Sequence, residues 1–297
     1  MTSALSFKGR IVIVTGAGGG MGRSHATMLA GRGALVVVND IRNAAEVASE
    51  IRAAGGDAVG DQHDISLADG AHGVVETAVR VFGGVDALVN NAGVASNHPF
   101  PAITWEDFDR TLKINTYAPF FVTQHAWPYL VASGAGRVVM VASKAGVTGA
   151  PNLSAYGTSK GAVLAMTRQL ASAGAAHGVC VNAVTPSAIT DMSEGRHPLA
   201  HRMAAALGVD ASDGPALARR STSAVSAVVS WLCHPHCTSN GEFYNAVGGQ
   251  VSRVTFAAAD GFHDPDLTAE LVRDQFDAIT DMTAASLLPT TWNGEKL

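Results

Sequence analysis

Short apolar runs punctuate the first 250 residues at fairly regular intervals, each bounded by glycine, aspartate or asparagine. Five are strong: Ile11–Val14, Leu35–Val38, Asp86–Val89, Arg137–Val141 and Val179–Val184. Ala58–Gln62 is weaker, and Glu242–Val247 is the last. Their β-branched residues stand side by side instead of alternating with polar ones, as in strands covered on both faces. Between them lie segments of helix length: Met21–Arg32, Asn43–Ala54, Leu67–Phe82, Trp105–Val131, Ala155–His177 and Thr222–Cys233. Strands alternating with helices imply parallel βαβ crossovers. The predicted fold class is therefore α/β, a Rossmann-type doubly wound parallel sheet of about seven strands flanked by helices.

Two stretches break the alternation. Residues 189–220 follow the sixth strand as a long mixed segment and read as a substrate lid. The lid carries Met192, Leu199, Met203, Leu207 and Val209, suited to an acyl chain, terpenoid or steroid, or equally to packing on the body. Its Arg196, Arg202, Arg219 and Arg220 suit either the phosphates of coenzyme A or a solvated helix face. Residues 1–249 then form one catalytic domain. Residues 250–297 form a C-terminal extension packed on the core or on a neighbouring subunit. In it, Leu267, Leu271, Val272, Phe276 and Ile279 approximate one helical stripe beginning near Pro265. Such a stretch is too apolar for a free disordered end. It is expected to lie beside the lid and help close the substrate pocket, or to brace an interface.

Composition removes several classes. An apolar fraction of 47% with 15% charged residues describes a globular chain. The net charge of −5 leaves no basic footprint, so nucleic acid is not an expected partner. Ile11–Val14 is far too short to span a bilayer, so no membrane association is expected. Three cysteines make no disulfide framework and suit a reducing compartment, so a cytoplasmic protein is expected. Cys233, His234, His236 and Cys237 crowd together, but without the paired spacing of a structural zinc site. They read as a helix end and a loop broken by Pro235, and no metal is expected.

The first strand runs into Thr15-Gly16-Ala17-Gly18-Gly19-Gly20-Met21-Gly22, where a helix starts. Gly16, Gly19, Gly20, Met21 and Gly22 allow a tight turn and bring backbone N–H groups and the helix dipole to a pyrophosphate. The second strand ends at Asn39-Asp40, eighteen residues after Gly22, followed by Ile41. A carboxylate there can accept hydrogen bonds from the adenosine ribose and repel a 2′-phosphate, which favours NAD over NADP. Capping the next helix is the alternative role of Asp40, and the nearby Arg42 works against the charge argument.

Tyr156 and Lys160, four apart, share one helix face. A neighbouring ammonium should lower the tyrosine pKa and suit it to proton transfer near neutral pH. Ser143 lies just past an apolar strand, at the end where open α/β sheets bind ligands. Its hydroxyl can hold a substrate oxygen.

Taken together, these residues resemble the short-chain dehydrogenase/reductase family over about residues 8–249. Thr15–Gly22 matches the family's glycine turn, and Asn90-Asn91-Ala92-Gly93 matches its N-N-A-G. Asn115, Ser143, Tyr156 and Lys160 match its catalytic asparagine, serine, tyrosine and lysine. The resemblance implies Tyr156 as acid/base and Ser143 orienting the substrate oxygen. Lys160 would tune the tyrosine and bind the nicotinamide ribose, and Asn115 would anchor a relay water. It further implies that Asp64 and Ile65 contact adenine, that Asn91, Ala92 and Gly93 line the cofactor, and that Ile189 and Thr190 reach the carboxamide. Pro186-Ser187 replaces the family's usual Pro-Gly there. The expected activity is NAD-dependent hydride transfer between a secondary alcohol and a ketone, on a small-molecule substrate and in a homo-oligomer, tetramer or dimer. Val37–Asp40 is similar to the dehydrogenase part of peroxisomal multifunctional type 2 enzymes, which act on 3-hydroxyacyl-CoA. An NADPH-dependent ketoreductase and a non-catalytic NAD-binding module are the competing readings.

Overall fold

Every apolar run becomes a strand, and each strand sends alternate residues into two separate apolar layers. The computed structural model of the chain describes residues 4–188 and 221–290. The predicted lid, with Ile189 and Thr190, lies outside the described residues. The strands are β1 (Ile11–Thr15), β2 (Leu35–Asn39), β3 (Asp57–Asp61), β4 (Ala87–Asn90), β5 (Arg137–Val141), β6 (Cys180–Ser187), β7 (Phe243–Val247) and β8 (Gln250–Val254). They form one sheet in the order β3-β2-β1-β4-β5-β6-β7-β8. All pairings are parallel except β7–β8, which is antiparallel. The strand order reverses beside β1, so β1 and β4 diverge at the crevice where such sheets bind ligands.

Val12, Val14, Val36 and Val38 face one layer. There they meet α1 (Gly20–Ala30), α2 (Ala44–Ala53) and α8 (Thr222–Cys233). Ile13, Val37, Leu88, Val138 and Met140 face the other layer. There they meet α3 (Ala68–Phe82), α5 (Ala118–Ala132) and α7 (Ser154–Gly174). Burial on both faces is why these strands lack polar alternation. The long predicted helix over 105–131 is divided in the structure. Helix α4 (Trp105–Leu112), capped by the Thr104 hydroxyl, leads through a π-helical turn at Lys113–Tyr117 into α5. A π turn of this kind often marks a functional position, and this one carries Asn115. A short helix, α6 (Ala145–Thr148), follows β5.

The sheet has eight strands where about seven were predicted. Gly248 and Gly249, both with positive φ (58° and 83°), turn the chain into β8. This is the two-residue hairpin that glycines favour. Strand β8 is an exposed edge with mixed polar and apolar residues, so it has no apolar run to announce it.

Strand β8 also relocates the extension. Running antiparallel, it returns the chain to the amino end of the sheet, where Val254 lies beside Phe243. Arg168 of α7 lies against both Phe243 and Phe256, 5.0 and 4.8 Å from ring centres that themselves meet edge to face at 5.8 Å, and donates to the Thr255 hydroxyl. A small ladder of β9 (Ala257–Ala258) with β10 (Ser286–Leu287) follows, and Thr290 then packs on Gly241 just ahead of β7. The described extension is thus anchored at the amino end of the sheet, opposite the crevice, while the lid beside which it was expected to pack lies outside the described residues. The single predicted stripe is corrected. It forms two short helices, α9 (Ala269–Asp274) and α10 (Phe276–Thr280), broken at Gln275. Leu267, Phe276, Met282 and Leu287 remain more than half exposed.

Cys233 and Cys237 are buried in the first apolar layer, and burial pushes the Cys233 thiol up to about 12. Among the described residues no group of three or more His, Cys, Asp or Glu could hold a metal ion. No described helix is long and apolar enough to cross a membrane.

Candidate active site

The glycine turn between β1 and α1 is shaped by what its glycines touch. Gly16 has a φ of +63°, and a β-carbon there would sit 2.7 Å from the Ala92 α-carbon. A β-carbon on Gly22 would collide with the Gly16 carbonyl oxygen and the Asn91 amide. By contrast, a β-carbon on Gly19, in extended backbone just before α1, would meet nothing. The turn is therefore closed against the protein and open outward at a helix N-terminus, as a bound pyrophosphate requires. Gly20 and Met21 start the helix on that open side.

Asparagine and threonine side chains fasten this cradle to β4. The Thr15 hydroxyl oxygen accepts from the N–H groups of Asn91 and Ala92, both at 3.1 Å. The Asn91 side-chain amide donates to the carbonyls of Thr15 (2.9 Å) and Gly16 (3.0 Å). Both Asn91 amide hydrogens are thus spent on the turn, and its contribution is to shape the cradle. Thr15 carries as much of this work but had no place among the predicted site residues.

At the end of β2, the Asp40 carboxylate accepts from the N–H groups of Gly18 and Arg42, each at 3.0 Å. Asp40 therefore locks the glycine turn to the β2 end and presents a carboxylate beside it. Gly18 was also missed in the sequence. A side chain there would strike the Arg42 carbonyl and the Asp40 carboxyl. Ile41 is exposed beside Asp40. Asp64 accepts from the Ser66 N–H and hydroxyl, which orders the loop after β3. Ile65 turns its side chain into the second apolar layer, so only its backbone is available to a ligand.

At the carboxyl end of β5 the catalytic candidates converge. Ser143 is buried, accepts from the Ala145 N–H at 3.2 Å, and lies close enough to the Tyr156 hydroxyl to bear on its titration. Lys160, one helical turn on, is buried with its ammonium 5.9 Å from the Tyr156 ring centre. It donates at 2.7 Å to the Val141 carbonyl. Burial lowers the lysine to about 8. Tyr156 is raised above its ordinary value of 10 by burial, with Ser143 opposing. The expected lowering of the tyrosine by its neighbouring cation is therefore corrected. The two side chains share a face, but the ammonium is turned onto Val141, and desolvation of the phenolate prevails.

Asn115 enters through the π turn. Its carbonyl oxygen accepts from the Val94 N–H, and its amide donates to the Val94 carbonyl and the Ser159 hydroxyl, all within 2.8–2.9 Å. Both amide hydrogens are used, so its side chain ties the loop after β4 to α7. A relay water would have to meet its main chain. A β-carbon on Gly93 would press within 3.4 Å of both the Asn115 amide oxygen and the Lys160 ammonium, so Gly93 closes the group from the β4 side. The structure thus gathers Asn115, Ser143, Tyr156, Lys160 and Gly93 at one mouth, with Gly16–Gly22 and Asp40 along the adjoining strand ends.

Comparison with known proteins gives a consistent picture. The short chain dehydrogenase family model matches residues 10–199. A Mycobacterium tuberculosis protein named as a short-chain type dehydrogenase/reductase is 33% identical over 94% of this chain and 96% of its own. The peroxisomal multifunctional enzyme type 2 of Drosophila melanogaster is 33% identical over 96% of this chain but 47% of its own, so this chain spans about half of that relative. Among solved structures, full-length Drosophila multifunctional enzyme type 2 superposes with a TM-score of 0.79 at 28% identity, covering 96% of this chain and 48% of the other. A short chain dehydrogenase from Mycobacterium avium gives 0.77 at 31% identity, covering 92% and 97%.

Proposed function

Since the chain belongs to the short-chain dehydrogenase/reductase family, and so is an oxidoreductase acting on CH–OH groups with a nicotinamide cofactor, we propose that it uses NAD to interconvert an apolar secondary alcohol and its ketone. A 3-hydroxyacyl thioester is the first candidate substrate, because relatives named as multifunctional type 2 enzymes match nearly the whole of this chain. The observation that carries the reading is the gathering of Ser143, Tyr156 and Lys160 at the carboxyl end of β5, with Lys160 one turn from Tyr156, beside a glycine cradle flanked by Asp40. Gly16–Gly22 and the N-terminus of α1 would hold the pyrophosphate, Asp40 the adenosine ribose, and Lys160 the nicotinamide ribose. When bound, the nicotinamide takes up or returns the hydride.

The protein's own part is to hold the substrate oxygen and move its proton. Ser143 and Tyr156 present two hydroxyls to one oxygen. Tyr156, held protonated by its burial, is ready to donate in the reducing direction. To accept a proton from an alcohol it needs a cation beside its hydroxyl, a role for Lys160 once its ammonium leaves the Val141 carbonyl. We further propose a homo-oligomer, dimer or tetramer. Trp105 of α4, Tyr117 of the π turn, and Phe120 and Phe121 of α5 are exposed along one segment and would be covered by a second copy.

The test is a panel of secondary alcohols and 3-hydroxyacyl thioesters followed by NADH absorbance, with Tyr156→Phe beside the parent. Turnover on any accepted substrate should fall by about 10²–10⁴-fold, while NADH binding is preserved because the ring remains. A phenylalanine variant with near-parental turnover would refute the assignment.

A further inference from the structure

The adenosine side of the cradle rests on a carboxylate that touches neither turn nor crevice. Asp61, the last residue of β3, has a side chain only 2% exposed. Four donors surround it. One oxygen accepts from the Asn39 amide (2.7 Å) and the His63 N–H (3.2 Å). The other accepts from the Thr77 hydroxyl (2.7 Å) and the His63 ring Nδ1 (2.8 Å). The Asn39 amide also donates to the His63 carbonyl at 3.0 Å, which closes a ring of bonds across the ends of β2 and β3.

The placement of these donors is what gives the cluster meaning. Asn39 directly precedes Asp40, and the Asp40 N–H donates to the Asp61 carbonyl at 3.0 Å. Asp40 in turn accepts from Gly18 of the phosphate turn. His63 directly precedes Asp64, and its ring lies so close over Gly73 of α3 that a β-carbon there would strike it. Thr77 is buried on α3. Asp61 therefore joins the support helix to both walls of the adenosine pocket. A buried carboxylate is costly unless its lone pairs are satisfied, and these are. Desolvation raises the Asp61 pKa, yet the hydrogen bonds from Thr77, His63 and Asn39 outweigh it, so the group stays ionised.

We propose that Asp61 is a positioning residue for dinucleotide affinity and for discrimination between NAD and NADP, acting through Asn39–Asp40 on one side and His63–Asp64 on the other. This rests on the dinucleotide reading above. An amide at position 61 keeps the shape but turns an N–H₂ toward donors, which releases part of the ring.

The test is Asp61→Asn in the full chain, with affinity for NADH and ADP-ribose measured by titration and turnover measured at saturating dinucleotide. Affinity for both ligands should fall about tenfold or more, turnover should stay within about twofold, and the NAD-to-NADP ratio of efficiencies should shrink. Parental affinity in a folded variant overturns the proposal. So does an equal fall in turnover and affinity, which marks a merely structural role. If the variant does not fold, Thr77→Val removes one donor from α3, and it should weaken NADH binding about threefold while Thr77→Ser restores it. Parental binding by the valine variant overturns the proposal equally. A parent that prefers NADP defeats the NAD reading but not this one, which is then scored with the dinucleotide that binds.

Discussion

His25 makes acid sensitivity a calculable property of this fold. It lies fully buried on α1, against α8. Its Nδ1 is 2.7 Å from the Ser226 hydroxyl oxygen, which also bonds the Ser24 hydroxyl (2.8 Å) and the Thr222 carbonyl (2.9 Å). A carbonyl only accepts, so Ser226 gives its single hydrogen to Thr222, and His25 and Ser24 both donate to Ser226. This makes His25 the Nδ1–H tautomer and leaves Nε2 as a buried lone pair without a partner among the described residues. A proton on Nε2 would place an unpaired cation in the core, so burial lowers the pKa from 6.5 to about 3. The unfolded chain binds this proton near 6.5 and the folded chain does not. Stability is therefore fully present above pH 6.5 and is lost progressively as the pH falls toward 3. At pH 5 the unfolded state is favoured by about 2 kcal/mol relative to neutral pH, from 1.36 kcal/mol per pKa unit over the unit and a half between 6.5 and 5. The lowered pKa of Asp61 acts below its ordinary 3.8, outside this window, and the lowered His234 is common to parent and variant. Urea unfolding at pH 7.5 and 5, at fixed protein concentration, should therefore show the parent losing about 2 kcal/mol more than His25→Leu. Parallel losses in the two proteins would refute the assignment of a neutral, buried imidazole.

Two further outcomes follow from the site and the extension. The parent should use NAD more efficiently than NADP, and Asp40→Ala should weaken NAD and relax the preference. Two like charges about 4 Å apart at an effective dielectric of 20 interact by roughly 4 kcal/mol, and half of that exceeds tenfold. Equal efficiencies in the parent would refute the role given to Asp40. Light scattering of the parent should give more than one chain per particle, and truncation after Asp260 should reduce mass or stability while leaving the Michaelis constant unchanged. A raised Michaelis constant in an intact oligomer would instead bring the extension to a neighbour's pocket.

The sheet was legible in the sequence because its strands are covered on both sides, and continuous valine and isoleucine runs follow from that. The six helices between them fell within a few residues of their predicted bounds for the same reason, except where Asn115 sits. The periodicity of 105–131 shows one helix, and nothing in it marks the π turn that sets Asn115 against Val94 and Ser159. Strand β8 was not legible because an exposed edge needs no apolar face. The extension's single helix was misread because its apolar residues approximate one stripe, while the chain breaks at Gln275 into two short helices and the glycine pair at 248–249 carries its start to the amino end of the sheet.

The catalytic residues show where spacing stops being informative. A separation of four puts Tyr156 and Lys160 on one face, and the structure keeps them there. Spacing does not say that the ammonium will find the Val141 carbonyl at 2.7 Å, a backbone group on another element. That one bond engages the ammonium elsewhere, and desolvation then prevails over the opposing effect of Ser143, so the tyrosine shifts upward instead of downward. Asp61 is the same lesson on the cofactor side. Asn39, Asp61, His63 and Thr77 obey no motif, since they meet only once β2, β3 and α3 are assembled. Residues that touch ligand are constrained by ligand chemistry, which recurs as pattern. Residues that hold those in place are constrained by this chain's own packing, so only the folded structure brings them into view.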